Sequence, residues 1–185
     1  MKQLLAVEGP DGSGKTTFLS TLVSSDLQWE HFALWHSGGP VRGSGDFLQR
    51  MKYIYQHDAI IVDRLPLISE VVYCRALHKP FPVPEDTFLK HLLNVDPIVV
   101  YCRLDSAEEM LERMLPGKLH KSAEYYATLR ENHPRIVEAY DRLIAEIEDA
   151  NILVIRHNWQ QPWNSPDSTF RAVAACNKAM RRRTG

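Results

Sequence analysis

The run Gly9-Pro10-Asp11-Gly12-Ser13-Gly14-Lys15-Thr16 fits the pattern GxxxxGK[ST] at every fixed position. The pattern has a direct physical meaning. Glycines let the backbone curl into a concave nest of amide donors. A helix starting at Lys15 aims its partially positive end at the same point. The Lys15 ammonium can reach the β- and γ-phosphates of a nucleoside triphosphate, and the Thr16 hydroxyl suits a Mg2+ ion bridging them. Gly9, Pro10, Asp11, Gly12, Ser13, Gly14, Lys15, Thr16 and Thr17 are therefore predicted to bind nucleotide, with ATP as phosphoryl donor and Mg2+ as cofactor.

A second chemical element is Ile60-Ile61-Val62-Asp63-Arg64. A carboxylate at the end of a strand beside a phosphate loop is placed to act on the magnesium side. The planar fork of Arg64 next to it suits an acceptor phosphate or the group in transfer. Lys15, Asp63 and Arg64 are the predicted catalytic residues, and Thr16 and Asp63 the predicted metal ligands. Glu70 and Tyr73 lie three apart on the helix that follows, so they share a face. They are candidates for an acceptor pocket, as is His36 at the end of another strand.

These side chains need a scaffold. With 185 residues, 44% of them hydrophobic and 24% charged, the chain fits one globular domain, 1–185, able to bury a core without staples. The formal net charge of −1 argues against a generally basic nucleic-acid sleeve. Three widely spaced cysteines and no CxxC pair suggest reduced thiols and a cytoplasmic protein. No run of apolar residues is long enough to span a bilayer, so no membrane partner is expected. Val/Ile/Leu-rich runs at Leu4–Val7, His31–Trp35, Ala59–Val62, Ile98–Cys102 and Ile152–Ile155 read as strands covered on both faces. Amphipathic stretches between them read as helices over Lys15–Ser24, Asp46–Tyr55, Leu67–Leu77, Glu85–Asn94, Ser106–Met114, Ala123–Asp149 and Pro166–Arg183. Ser106 with Glu109 makes a capping-box pattern, and His133-Pro134 predicts a break or kink in the long sixth helix. Strands alternating with helices give an α/β doubly wound sheet. The chain has no NKxD-type base reader of the GTPase kind and is short for a motor, so a small kinase fits its length best.

The segment Glu8 to Thr17 resembles the EGxDGxGKTT loop of thymidylate kinases, and Asp63-Arg64 resembles their DR motif. Ser69 and Tyr73 resemble the serine and tyrosine after that motif, Ser69 lying one residue later than usual. Leu104 to Arg113 is similar to the family's strand-to-helix segment before the lid, and His133 to Tyr140 to the helix after it. The segments His36 to Pro40 and Asp63 to Tyr73 look more like small phage-encoded relatives. The resemblance implies a P-loop kinase fold with a five-stranded parallel sheet of order 2-3-1-4-5, helices on both faces, and a small lid at about 115–123. It also implies that Asp11 faces the acceptor sugar, Asp63 acts near Mg2+, and Arg64 holds the acceptor phosphate. A homodimer is a possible assembly. The lid carries Lys118, His120 and Lys121 rather than an arginine pair; Arg113 and Arg130 flank it, and Arg113 is assigned to the nucleotide.

The acceptor decides how much chemistry the protein supplies. A nucleoside monophosphate offers an already ionised oxygen and needs only positioning and charge compensation. A hydroxyl acceptor needs a base as its proton leaves. Deoxynucleoside kinases, which resemble this fold, carry a glutamate where strand two here ends Trp35-His36-Ser37; Asp63, Asp11 or Glu8 would have to serve instead. The expected function is thus a kinase acting on a deoxynucleoside monophosphate such as dTMP. The alternative is a phage kinase that phosphorylates a hydroxymethyl pyrimidine (5-hydroxymethyluracil) in DNA. For it Arg42 and Arg181-Arg182-Arg183 would grip phosphates, and Trp159 and Trp163 would stack on bases. A non-catalytic NTP-binding module is the third reading.

Overall fold

A computed structural model describes residues 3–25, 27–37, 39, 41–115, 122–158 and 167–184. Among the described residues five strands and seven α-helices follow in the order β1 (Gln3–Glu8), α1 (Lys15–Ser25), β2 (Ala33–His36), α2 (Ser44–Tyr55), β3 (Ala59–Asp63), α3 (Pro66–Leu77), α4 (Glu85–Val95), β4 (Ile98–Cys102), α5 (Ala107–Met114), α6 (Ala123–Asp149), β5 (Val154–His157) and α7 (Asp167–Thr184). The strands form one parallel sheet in the order β2-β3-β1-β4-β5.

The pleat sends alternate side chains to opposite faces. Leu4, Ala6, Ile60, Val62, Val99 and Tyr101 pack beneath α2, α3, α4 and α6. Leu5, Val7, Ile61, Ile98, Val100 and Cys102 pack beneath α1 and α7. Because both faces are covered, the central strands are apolar at nearly every position, which is why the runs do not alternate.

Several boundaries differ from the sequence expectation, each for a local reason. The run Ile152–Ile155 is divided: the Ile152 amide donates to the Ile147 carbonyl at 3.2 Å and closes the end of α6, so β5 begins two residues later. His31 belongs to a short 3-10 turn (Leu27–His31) in which Phe32 N–H bonds Trp29 O at 3.1 Å, so β2 starts at Ala33. α2 starts two residues early, with the Phe47 amide donating to Gly43 O at 3.0 Å. α6 is not broken at Pro134; it runs unbroken for 27 residues. Proline removes one helical hydrogen bond there. Val137, Tyr140, Leu143, Ile144 and Ile147 are buried just beyond it and hold that half of the helix in place. Ser106 caps α5 as expected, accepting from the Glu109 amide at 3.2 Å. The expected lid falls mostly on residues 116–121, which lie outside the described residues, as do Trp159 and Trp163.

The parallel register brings the carboxyl ends of the strands to one edge. Val7 lies opposite Asp63, His36 opposite Asp63, and Glu8 opposite Tyr101. Ligands of open α/β sheets bind at that edge, and the glycine-rich loop leaves β1 there.

Candidate functional site

The loop from Gly9 to Gly14 is folded tightly against its surroundings. Gly12, at φ 80°, is so close to α5 that a Cβ would stand 1.9 Å from the Met110 carbonyl oxygen. A Cβ on Gly9 would stand 2.1 Å from Cys102 O at the end of β4. Only a residue without a side chain fits either place. Ser13 and Lys15 are buried while Thr16 and Thr17 face solvent. The Lys15 Nζ bridges the carbonyls of Gly9 and Pro10, each at 2.8 Å. Burial lowers its pKa to about 8, assisted by the nearby Arg64 guanidinium and opposed by Asp11, Cys102 and Asp63. An anion at the loop would offset that desolvation.

Asp63 ends β3 beside the loop. Its Oδ2 meets His36 Nδ1 at 3.0 Å. Its Oδ1 is buried with no hydrogen-bond partner. A buried carboxylate oxygen without a donor is costly, and a cation would satisfy it. Asp63 and the exposed Thr16 hydroxyl are hard oxygen donors, the set that suits Mg2+, which keeps several waters and otherwise binds substrate phosphates. No cluster of three or more His, Cys, Asp or Glu among the described residues competes with this pair for a metal.

Arg64 is the hub. Its φ of 69° places it in the left-handed region, costly for a residue with a side chain. Its amide donates to Val7 O at 3.1 Å. Its guanidinium donates to Tyr73 Oη at 3.0 Å, to Tyr140 Oη at 3.2 Å and to Asp11 Oδ1. Burial works against its charge, but Tyr140, Tyr73, Asp11 and Glu8 around it outweigh that and hold it firmly protonated. Burial raises the Tyr73 pKa, so the phenol stays neutral, and because its oxygen accepts from Arg64 its own proton is left for another partner.

Beyond Arg64 opens a cleft of about 1030 Å³. Asp11, Arg64 and Tyr73 stand at its phosphate-loop end; Leu77, Pro80, Phe81 and Pro82 form an apolar wall; Ser37, Gly39, Val41, Gly43 and Ser44 form the opposite side. That loop is tied down at three points. Glu70 Oε1 accepts from Val41 N at 3.0 Å, Arg50 Nη1 donates to Ser37 Oγ at 2.9 Å and Gly39 O at 2.7 Å, and Asp46 accepts from Arg42 N at 2.9 Å. Burial raises the Glu70 pKa, with the Val41 amide opposing it.

Lys15, Asp63, Arg64, Asp11, His36, Glu70 and Tyr73 thus lie together at one edge of the sheet. Arg113 does not line this cleft: it is on α5, the helix against which Gly12 packs, and pairs with Glu109 at 2.7 Å. Arg181 and Arg182 are exposed on α7, and neither is among the described residues that line the cleft. The sequence reading passed over Arg50, Phe81, Leu77, His133 and Tyr140. Arg50 had a legible signal, its i,i+4 spacing from Asp46. His133, buried on α6 with Nε2 3.2 Å from Asp11 O, and Tyr140 looked like ordinary helix residues.

The five-stranded parallel sheet of order β2-β3-β1-β4-β5 with its covering helices is a fold shared with solved nucleotide kinases. No protein-family model and no curated protein matches the sequence. Among solved structures, the YorR protein of Bacillus subtilis, in complex with phosphorylated GDP, is similar over 98% of both chains, with a TM-score of 0.64 and 17% identity. Deoxyadenosine kinase from M. mycoides, with dCMP and dCDP as bound products, is similar over 97% of this chain and 100% of its own, with a TM-score of 0.58 and 13% identity. Thymidylate kinase from Ehrlichia chaffeensis follows the same course over 97% and 98%, with a TM-score of 0.55 and 16% identity. No helix among the described residues is long and apolar enough to cross a membrane.

Proposed function

We propose that this chain is an ATP- and Mg2+-dependent kinase that transfers the γ-phosphoryl group to a nucleotide-type acceptor, a deoxynucleoside monophosphate such as dTMP. One observation carries the reading: a half-buried guanidinium, Arg64, is held between the phosphate loop, through Asp11, and an apolar-walled cleft, through Tyr73. An acceptor whose own phosphate meets Arg64 would present its oxygen to the γ-phosphate while its base lies along Leu77 and Phe81. Among solved structures of similar fold, thymidylate kinase supports a monophosphate acceptor, while deoxyadenosine kinase, which holds dCMP as a product, supports a deoxynucleotide in the site more broadly.

In this reading Lys15 exchanges the Gly9 and Pro10 carbonyls for the β- and γ-phosphate oxygens. Thr16 and Asp63 would hold Mg2+, which would offset charge on the phosphates. The acceptor oxygen is already ionised, so it attacks the γ-phosphorus directly and the bond to the β-γ bridging oxygen breaks to leave ADP. No proton need be removed, and Lys15 and Arg64 compensate the charge spread over the transferred group. Tyr73 and Asp11 orient the acceptor, His36 steadies Asp63, and Arg113 serves the nucleotide from α5.

The test is incubation with ATP labelled in the γ position and a panel of deoxynucleoside monophosphates, nucleosides, plain DNA and hydroxymethyl-containing DNA. Label in one or more monophosphates is the expected result. Label confined to modified DNA would transfer the function to base modification, and label in no acceptor while ATP still binds would reduce the chain to a binding module.

A further inference from the structure

Glu8, the last residue of β1, is fully buried, so no acceptor hydroxyl can reach it and it cannot serve as a base. Its two oxygens are both engaged. Oε1 accepts from the Leu65 amide, and Oε2 accepts from the Tyr140 hydroxyl at 3.2 Å. Leu65 N–H belongs to the peptide that follows Arg64, the residue forced into the left-handed region. Tyr140, in turn, accepts from the Arg64 guanidinium while donating to Glu8. One carboxyl group therefore secures the strained backbone of Arg64 on one oxygen and its side chain, through a single hydroxyl, on the other. Strained conformations persist only where surrounding contacts over-determine them, and they gather at functional positions.

We propose that Glu8 and Tyr140 form a buried positioning pair that fixes the backbone and guanidinium of Arg64 for the acceptor phosphate, so that they govern acceptor affinity and not donor affinity. The role rests on the kinase reading above. The donor side has its own support: Lys15 is held by Gly9 and Pro10, and neither Glu8 nor Tyr140 bonds to it. Burial raises Glu8 to about 8. The groups that face it are Arg64 from the β3–α3 turn, Lys15 from α1, Tyr140 from α6, Tyr73 from α3 and Cys102 from β4. Below that pH Glu8 is a neutral hydrogen-bonding group. Above it the new carboxylate, linked to Arg64 only through Tyr140, offsets through space part of the positive charge that the acceptor phosphate meets.

The experiment is steady-state kinetics of wild type, Glu8→Gln, Glu8→Ala and Tyr140→Phe between pH 6 and 9.5, at saturating ATP with the acceptor varied, then the reverse. Glu8→Ala and Tyr140→Phe should raise the acceptor KM on the order of 10-fold, as expected when a hydrogen bond to a charged group is lost. The KM for ATP should stay within about 2-fold, below what a lost hydrogen bond would produce. Glu8→Gln keeps an oxygen for the Leu65 amide and should return the acceptor KM most of the way. It should also flatten the rise in acceptor KM that wild type shows above pH 8, while any alkaline effect of Lys15 on the ATP KM persists in both proteins. Tyr140→Phe and Glu8→Gln are near-isosteric, so the test survives misfolding of Glu8→Ala. An unchanged alkaline rise in Glu8→Gln, or loss of ATP rather than acceptor affinity in the other two, overturns the positioning role alone. Wild type that transfers to no acceptor overturns the kinase reading and this one with it.

Discussion

Replacing Gly12 by alanine asks whether the phosphate loop is held as tightly as its packing against α5 implies. The new Cβ would lie 1.9 Å from the Met110 carbonyl oxygen, while ordinary contact begins at 3.4 Å, so two backbone segments must part by about 1.5 Å. The obstacle is main chain, which cannot rotate aside as a flexible side chain would. Alanine at φ 80° adds a conformational cost of about 1–2 kcal/mol, and a forced backbone shift adds about 1–3 kcal/mol. The sum, roughly 2–5 kcal/mol, lowers Tm by about 4–20 °C in a chain of this size. The loop cannot relax without moving its amide donors, so ATP affinity should fall at least about 10-fold as well. Gly45→Ala is the control: it lies in α2 with nothing within 4 Å of the added carbon and should stabilise by about 0.5–1 kcal/mol. Scanning calorimetry and calorimetric titration with ATP supply both readings. If Gly12→Ala matched Gly45→Ala in Tm, or bound ATP as wild type does, the packing argument would be refuted.

Four further outcomes follow from the same geometry. Lys15→Ala should cut transfer by roughly 10²–10³-fold, as loss of a preorganised charge-stabilising group does; single-turnover rates with labelled ATP check it. Asp63→Asn should raise the Mg2+ concentration needed for half-maximal turnover while leaving metal-free ATP binding nearly unchanged, read by titrating Mg2+ in the activity assay. Glu70→Ala removes the acceptor for Val41 N–H and should raise the acceptor KM several-fold, about the worth of one hydrogen bond, with the ATP KM unaltered. Glu8 also predicts a stability trend. Its pKa rises from 4.5 to about 8 on folding, so the folded state holds a proton that the unfolded chain has lost. The stabilisation is full below pH 4.5 and is lost as pH rises through 8, with a slope of at most about 1.4 kcal/mol per pH unit. Urea denaturation at several pH values should show wild type losing stability relative to Glu8→Gln across that window; parallel curves would contradict it.

The phosphate-loop side of the candidate site was legible because its pattern is local. Gly9 to Thr16 is a contiguous motif, and Asp63-Arg64 closes a run of Val and Ile that announces a buried strand. The strand order came from resemblance, not from periodicity, since β1, β3 and β4 carry the same kind of apolar run. What stayed hidden was long-range. Arg64, Asp11, Tyr73 and Tyr140 are 9 to 76 residues apart along the chain in their pairings, and nothing in the spacing of Tyr140 on α6 says that its hydroxyl meets Glu8. Phe81 and Leu77 read as unremarkable apolar residues, although they form the wall of the cleft. The Ile152–Ile155 boundary failed because one apolar run serves two elements, a helix end and a strand.

The central claim is that a donor cradle built on Lys15 and an acceptor cleft headed by Arg64 meet at Asp63. Titration with a bisubstrate compound, adenosine joined to a deoxynucleoside through five phosphates, tests it most directly. One compound per chain should bind, at least about 100-fold more tightly than ATP because the second contact is intramolecular, and the advantage should be lost in Arg64→Ala. Affinity no better than that of ATP, indifferent to Arg64→Ala, would contradict it.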